Sequence, residues 1–147
     1  MLSLFVLVSV AFAVPQATDK PAPNLRSTVH IVGPRVDINN PDKPVLIEVW
    51  ATWCGACRLT LPLLGQLQRE HSDLSVVALT DEDPVRVRRF VHQHQEMRGV
   101  TVLTDTSSAA MRSLMFGGFG ASGLPSSYLI DQGKVVWAGS LDDLPAR

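Results

Sequence analysis

Val45-Leu46-Ile47-Glu48-Val49 runs directly into Trp50-Ala51-Thr52-Trp53-Cys54-Gly55-Ala56-Cys57, and this stretch decides how the chain is read. The first five residues are apolar except for Glu48, the pattern of a central strand covered on both faces. The segment from Arg58 to His71 follows with Leu59, Leu63, Leu64 and Leu67 at helical spacing. A strand therefore ends in a C-x-x-C pair at the start of a helix. The two cysteines are the only ones in the chain. A helix N-terminus offers a positive dipole end and unpaired N–H groups, which favour a thiolate on the first cysteine. The two-residue spacing lets the second cysteine attack a mixed disulfide formed by the first.

Three other uses of the pair fit the sequence less well. A structural zinc site needs about four ligands, and neither a second C-x-x-C nor a well-spaced histidine pair completes one. A purely structural disulfide across so short a loop adds little, because the entropic benefit grows with loop length. Two inert buried thiols sit poorly with the flanking Trp50 and Trp53. Redox chemistry is the reading the context favours.

The chain has 147 residues, enough for one domain with a hydrophobic core, and a formal net charge of −1. No basic stripe or polybasic segment points to nucleic acid or an anionic membrane. Arg86, Arg88 and Arg89 read as a solvated helix face. Leu2 to Phe12 is almost wholly apolar, and Ala11-Phe12-Ala13 fits a small-x-small cleavage site. Residues 1–13 are read as a secretory signal, although no Lys or Arg precedes the apolar run. An uncleaved anchor or an extra strand are the alternatives. The run is shorter than the ~20 residues of a membrane-spanning helix, so no stable membrane insertion is expected after cleavage. Residues 14–27, with Pro15, Pro21 and Pro23, read as a linker, and residues 28–147 as the domain. The expected location is secreted, periplasmic or another lumen outside the cytosol, where a lone C-x-x-C drifts to the disulfide.

Within the domain, Thr28 to Val32 alternates weakly and reads as a strand. Leu74 to Thr80 is a buried strand. Asp81-Glu82-Asp83-Pro84 opens a helix with acids at its N-terminal end. That helix extends to about Gln95. Val100 to Leu103 is a short strand, and Asp105 or Thr106 caps a helix through Met115. Gly117 to Gly123 lacks the strand-to-helix context of a phosphate loop and reads as a flexible connection. Ser126 to Ile130 and Lys134 to Ala138 form a hairpin around Asp131-Gln132-Gly133. His92 and His94 point to different faces of their helix, so a shared metal is not expected. The expected fold is α/β: a central mixed sheet flanked by helices on both faces.

These residues resemble the thioredoxin superfamily, most closely its exported TlpA-like, redoxin-type branch, over about Ile38 to Leu141. Trp50 to Cys57 is similar to the family signature W-A-x-W-C-G-x-C. Pro62, five residues after the second cysteine, matches the proline of the active-site helix. Gly123-Leu124-Pro125 and the following Ser126 to Asp131 resemble the cis-proline loop and its strand. The resemblance implies a thioredoxin-like fold in which Cys54 attacks, Cys57 resolves, and Leu124 and Pro125 form the substrate-pairing loop. It also sets Glu48 where thioredoxin carries a buried acid that moves protons for the second cysteine. Ala56 departs from the proline of thioredoxin-type reductases, and the final helix of the family is expected to be short or missing here.

The resulting expectation is a thiol–disulfide oxidoreductase without metal or cofactor. Its expected partners are protein disulfides or dithiols and an unidentified redox partner. Glu48 is the candidate acid/base, unless it is a paired or edge acid. Trp53 is expected to pack beside the site, limit water and contact substrate, and Trp50 to lie in the core. The alternative is a non-catalytic thioredoxin-fold module that grips peptides through the Pro125 loop. A peroxidase fits less well, because that chemistry uses a differently placed lone cysteine.

Overall fold

The computed structural model of the chain describes residues 18–39 and 42–145. The signal-peptide reading of residues 1–13 lies outside them. Seven strands form one sheet: β1 (Lys20–Pro21), β2 (Val29–Val32), β3 (Val45–Val49), β4 (Ser75–Thr80), β5 (Thr101–Thr104), β6 (Ser126–Asp131) and β7 (Lys134–Gly139). Helices α1 (Gly55–Glu70), α2 (Pro84–Gln93) and α3 (Ala109–Phe116) connect them. The strand order is β1-β7-β6-β3-β4-β5-β2. The β3–β4 and β4–β5 pairs are parallel, while β3–β6, β6–β7, β1–β7 and β2–β5 are antiparallel. The sheet is thus mixed, as expected.

β3 lies at the centre and all five of its residues are buried. Alternation sends Leu46 to one face and Val45, Ile47 and Val49 to the other. The first face packs under α1 and α2 through Leu61, Leu64, Val87 and Phe90. The second packs under α3 through Met111 and Leu114.

α1 starts at Gly55, three residues earlier than the leucine pattern indicates, because Cys54 itself caps it. It runs unbroken through Pro62 to Glu70. Its buried stripe is Cys57, Leu61, Leu64 and Gly65, and not the full set of leucines. Leu59 and Leu63 face outward because Cys57 faces the sheet, which turns the helix about its axis. Gly65 allows α1 to touch the 3-10 turn Gln95–Met97, since a Cβ there would fall on the Glu96 carbonyl oxygen. Asp105 does cap α3, from four residues before its first turn: its carboxylate accepts the Ala110 and Met111 N–H groups at 2.7 and 3.2 Å.

Two sequence expectations need correction. Of the stretch read as a linker, residues 18–27 are described, and they are fastened to the domain. Lys20 and Pro21 pair with Val135 and Lys134 at the sheet edge, where a proline costs no ladder bond. Ala22 and Leu25 pack on the second core, and the Lys20 ammonium donates to the Gly117 and Gly118 carbonyls. The Gly117–Gly123 connection is likewise fastened. Phe119 is buried edge-on to Tyr128 at 6.2 Å, and the Tyr128 hydroxyl donates to the Ala121 carbonyl at 3.2 Å. Among the described residues, β7 is followed by a single 3-10 turn, Leu141–Asp143. No helix among them is long and apolar enough to cross a membrane.

The rotated stripe of α1 makes a direct prediction. Leu64 is 0% exposed and Leu59 is 78% exposed. Leu64→Ala is expected to cost about 2–5 kcal/mol, the range for truncating a buried leucine. Leu59→Ala is expected to stay within about 0.5 kcal/mol of the parent. Urea unfolding of the two variants checks the difference.

Candidate functional site

The C-terminal ends of β3 and β4 and the start of β6 meet at one end of the sheet. β3 delivers the chain to Trp50, whose N–H still donates to the Leu79 carbonyl at 3.1 Å. The chain then turns through Ala51, Thr52 and Trp53. The Cys54 N–H closes this turn on the Ala51 carbonyl at 3.1 Å.

Cys54 is the N-cap of α1, with extended backbone (φ −83°, ψ 108°). Its Sγ accepts the Cys57 N–H at 3.2 Å. That bond satisfies one of the four donors every helix start leaves open. The two cysteines form a disulfide, with their Cα atoms 5.3 Å apart. Cys54 is 7% exposed and Cys57 fully buried, so only Cys54 of the pair borders solvent.

Trp53 is 70% exposed. So exposed a ring does little of the shielding from water that the sequence suggested, because the turn that lets Cys54 cap the helix leaves the preceding side chain outward. Trp50 is in the core, 5.2 Å from Phe90.

The Leu124-Pro125 peptide bond is cis. β6 starts at Ser126, paired with Val49, so the register sets Pro125 opposite Trp50. Leu124 is half-buried and packs against both cores, one of which contains Cys54 and Cys57. The Ser126 hydroxyl closes the loop on the Gly123 carbonyl at 2.8 Å.

Glu48 is fully buried on the α1 face of β3. Its cross-strand partner Ser127 donates a hydroxyl hydrogen bond to Oε2. Among the described residues, Oε1 has no hydrogen-bond partner. Burial pushes the Glu48 carboxyl above the usual carboxylate range; the Ser127 and Thr60 hydroxyls pull it back, and the Asp142 carboxylate pushes it further up. The Thr60 hydroxyl donates to the Cys57 carbonyl at 2.9 Å and lies close enough to Glu48 to act on its carboxyl.

Sequence reasoning missed Glu82 and Arg58. Glu82 was grouped with the acids that open α2. Asp83 alone does that, accepting the Val85 and Arg86 N–H groups. Glu82 turns instead to the cysteine loop. Its Oε2 accepts the Thr52 N–H and its Oε1 the Thr52 hydroxyl, both at 2.7 Å. The Arg58 guanidinium donates to the Thr52 carbonyl at 3.1 Å. No local pattern signals either contact, since thirty residues separate Thr52 from Glu82.

With that geometry in view, the chain falls into a known class. The AhpC/TSA family profile matches residues 20–138, and the chain belongs to that family. It is a redoxin-type member of the thioredoxin superfamily. It is 41% identical to thioredoxin of Mycobacterium tuberculosis over 56 residues, which is 37% of this chain and 48% of that protein. The chain therefore spans about half the length of the curated relatives it matches. A Chlorobium tepidum protein ascribed to the thiol:disulfide interchange protein DsbE superposes with TM-score 0.63 at 25% identity, over 84% of each chain. A secreted Mycobacterium tuberculosis disulfide oxidoreductase shares the fold, with TM-score 0.54 at 16% identity, over 72% of this chain and 75% of that one.

Glu48 sets a pH-dependent term in stability. Its folded-state carboxyl holds the proton more tightly than the unfolded one. The unfolded state therefore loses that proton first as pH rises, and stability falls above the unfolded value of about 4.3. Glu48→Gln removes this loss. The oxidised variant is expected to melt above the parent at pH 7, with the gap closing towards pH 4. Melting curves across that range check it.

Proposed function

We propose that this protein is a thiol–disulfide oxidoreductase that exchanges electrons between its Cys54–Cys57 pair and protein disulfides or dithiols outside the cytosol. One observation carries the reading: Cys54 caps α1 with its sulfur, at the solvent border, bonded to a buried Cys57. The helix N-terminus stabilises negative charge on that sulfur once the bond is reduced.

In the reducing direction, the Cys54 thiolate attacks one sulfur of a substrate disulfide. A mixed disulfide forms and the other substrate sulfur leaves as a thiolate. Cys57 loses its proton and attacks Cys54, releasing the second substrate thiolate and closing the Cys54–Cys57 disulfide. Two electrons pass to the substrate. The reverse sequence oxidises a substrate dithiol. A second dithiol or disulfide partner must reset the pair in either case.

Glu48 is the proposed proton acceptor for Cys57 on resolution. It lies on the sheet face that α1 and Cys57 cover, and its raised affinity for a proton suits an acid/base role. Leu124 and Pro125 border the site as a backbone edge on which an extended substrate can pair like an added strand. The exposed Trp53 ring offers that substrate an apolar contact. The apolar Leu2–Phe12 run and the secreted protein that shares the fold support a location outside the cytosol.

An insulin-reduction assay with a dithiol donor tests the activity. Turnover is expected in the parent and none in Cys54→Ser. A parent that binds insulin chains without reducing them would point to a peptide-binding module. Alkylation of the reduced protein near neutral pH is expected to label Cys54 before Cys57, with an apparent pKa below the free-thiol value of about 8.5. In stopped-flow mixing with a disulfide substrate, Glu48→Gln is expected to keep the rate of first attack. Its resolution step should slow about 100-fold or more, the scale of one positioned acid/base group, so that mixed disulfide accumulates.

A further inference from the structure

The turn that carries Trp53 to Cys54 is held by a side chain from a different part of the fold. Thr52 is the centre of that arrangement. All three of its strong polar groups are taken: N–H and hydroxyl by the Glu82 carboxylate, carbonyl by the Arg58 guanidinium. The Glu82 side chain is only 8% exposed, and its Oε2 also accepts the Thr80 hydroxyl at 3.2 Å. Arg86 approaches Oε1 at 3.9 Å from the solvent side. Arg58 is itself seated over the Phe90 ring at 5.8 Å.

A carboxylate suits this position for a chemical reason. It presents two acceptor oxygens and no donor, and here it meets a backbone N–H, a hydroxyl and a second hydroxyl. Charge-assisted bonds of this kind are about twice as strong as neutral ones. Glu82 sits between the end of β4 and the N-cap of α2, so the anchor point belongs to the rigid sheet-and-helix frame. The tethered residue lies two positions before Cys54. Moving Thr52 would move the turn that Cys54 closes on Ala51, and with it the alignment of Sγ with the Cys57 N–H.

We propose that Glu82 is a positioning residue that, by gripping Thr52, holds Cys54 in the capping geometry on which its reactivity depends. This rests on Cys54 being the attacking thiol. The grip and the charge of Glu82 act in opposite directions on Cys54. Losing the grip loosens the cap and disfavours the thiolate. Losing the negative charge alone favours the thiolate.

The test is the rate of Cys54 alkylation against pH in the reduced full chain, with the labelled site read by peptide mass. Glu82→Ala is expected to lower the rate at pH 7 by about 3- to 10-fold and to shift the profile to higher pH, towards a free thiol. Glu82→Gln, which keeps an acceptor oxygen at the same reach, is expected to recover most of the rate. If both variants react faster than the parent, Glu82 acts only through its charge and the proposal is overturned. If Glu82→Ala melts lower but alkylates at the parent rate, its role is purely structural and the proposal is overturned. Should Glu82→Ala not fold, Thr52→Val removes the hydroxyl half of the grip; a slowed Cys54 supports the proposal and an unchanged one overturns it. First labelling at Cys57 in the parent would overturn the nucleophile assignment, a result distinct from any Glu82 effect.

Discussion

The hydrogen bond from the Cys57 N–H to the Cys54 sulfur organises the functional end of this fold. A helix start must satisfy open N–H groups, and an oxygen side chain usually does so. Here a sulfur does, which obliges residue 54 to be extended while residue 55 is already helical. The chain must therefore turn sharply between Trp50, still bonded to the sheet, and Cys54. The same constraint fixes the rotation of α1. Once Cys57 is turned to the sheet, Leu61 and Leu64 follow at one and two turns below it, and Leu59 and Leu63 are left outside.

β3 is what allows such a turn to be held firmly. It is bonded on both sides, antiparallel to β6 and parallel to β4. At the end of the sheet where β3 stops, β4 releases the segment with Glu82 and β6 begins just after Pro125. Three segments far apart in sequence converge because the registers Val49↔Leu79 and Val49↔Ser126 align their ends. Glu48 is the cost of this arrangement. An acid in a strand buried on both faces, with one oxygen lacking a partner among the described residues, would be expensive as a charge. Holding its proton lowers that cost.

Local patterns made the central strand, the C-x-x-C helix start, the second buried strand and the β6–β7 hairpin legible, because each is signalled within about ten residues by alternation, an apolar run or a turn. What escaped were the features made by distant partners. Lys20-Pro21 looks like linker until Val135 and Lys134, more than a hundred positions on, supply its pairing. Glu82 sits in an acid-rich turn before a helix, where a capping role explains it locally and hides its bond to Thr52. Four leucines at helical spacing indicated the inward side of α1, yet only the cysteine's own orientation selects which of them are buried. Within the candidate site, Cys54, Cys57, Leu124, Pro125 and Glu48 were all legible as residues, while the outward turn of Trp53 was not.

The unequal burial of the two cysteines gives the proposed reaction its order. A partner sulfur can approach Cys54 from solvent, but Cys57 is enclosed by the sheet and by Leu61. Cys57 therefore has one sulfur within reach, that of Cys54, three residues away on the same helix turn. In the proposed cycle, attack on an incoming disulfide starts at Cys54 and release ends at Cys57. Because the second step is intramolecular, it competes well against escape of the mixed disulfide by an outside thiol. The proton that Cys57 surrenders cannot pass to bulk water through the core. In the proposed cycle Glu48, on the same face of the sheet and with its carboxyl held above the usual carboxylate range by burial, is the internal acceptor.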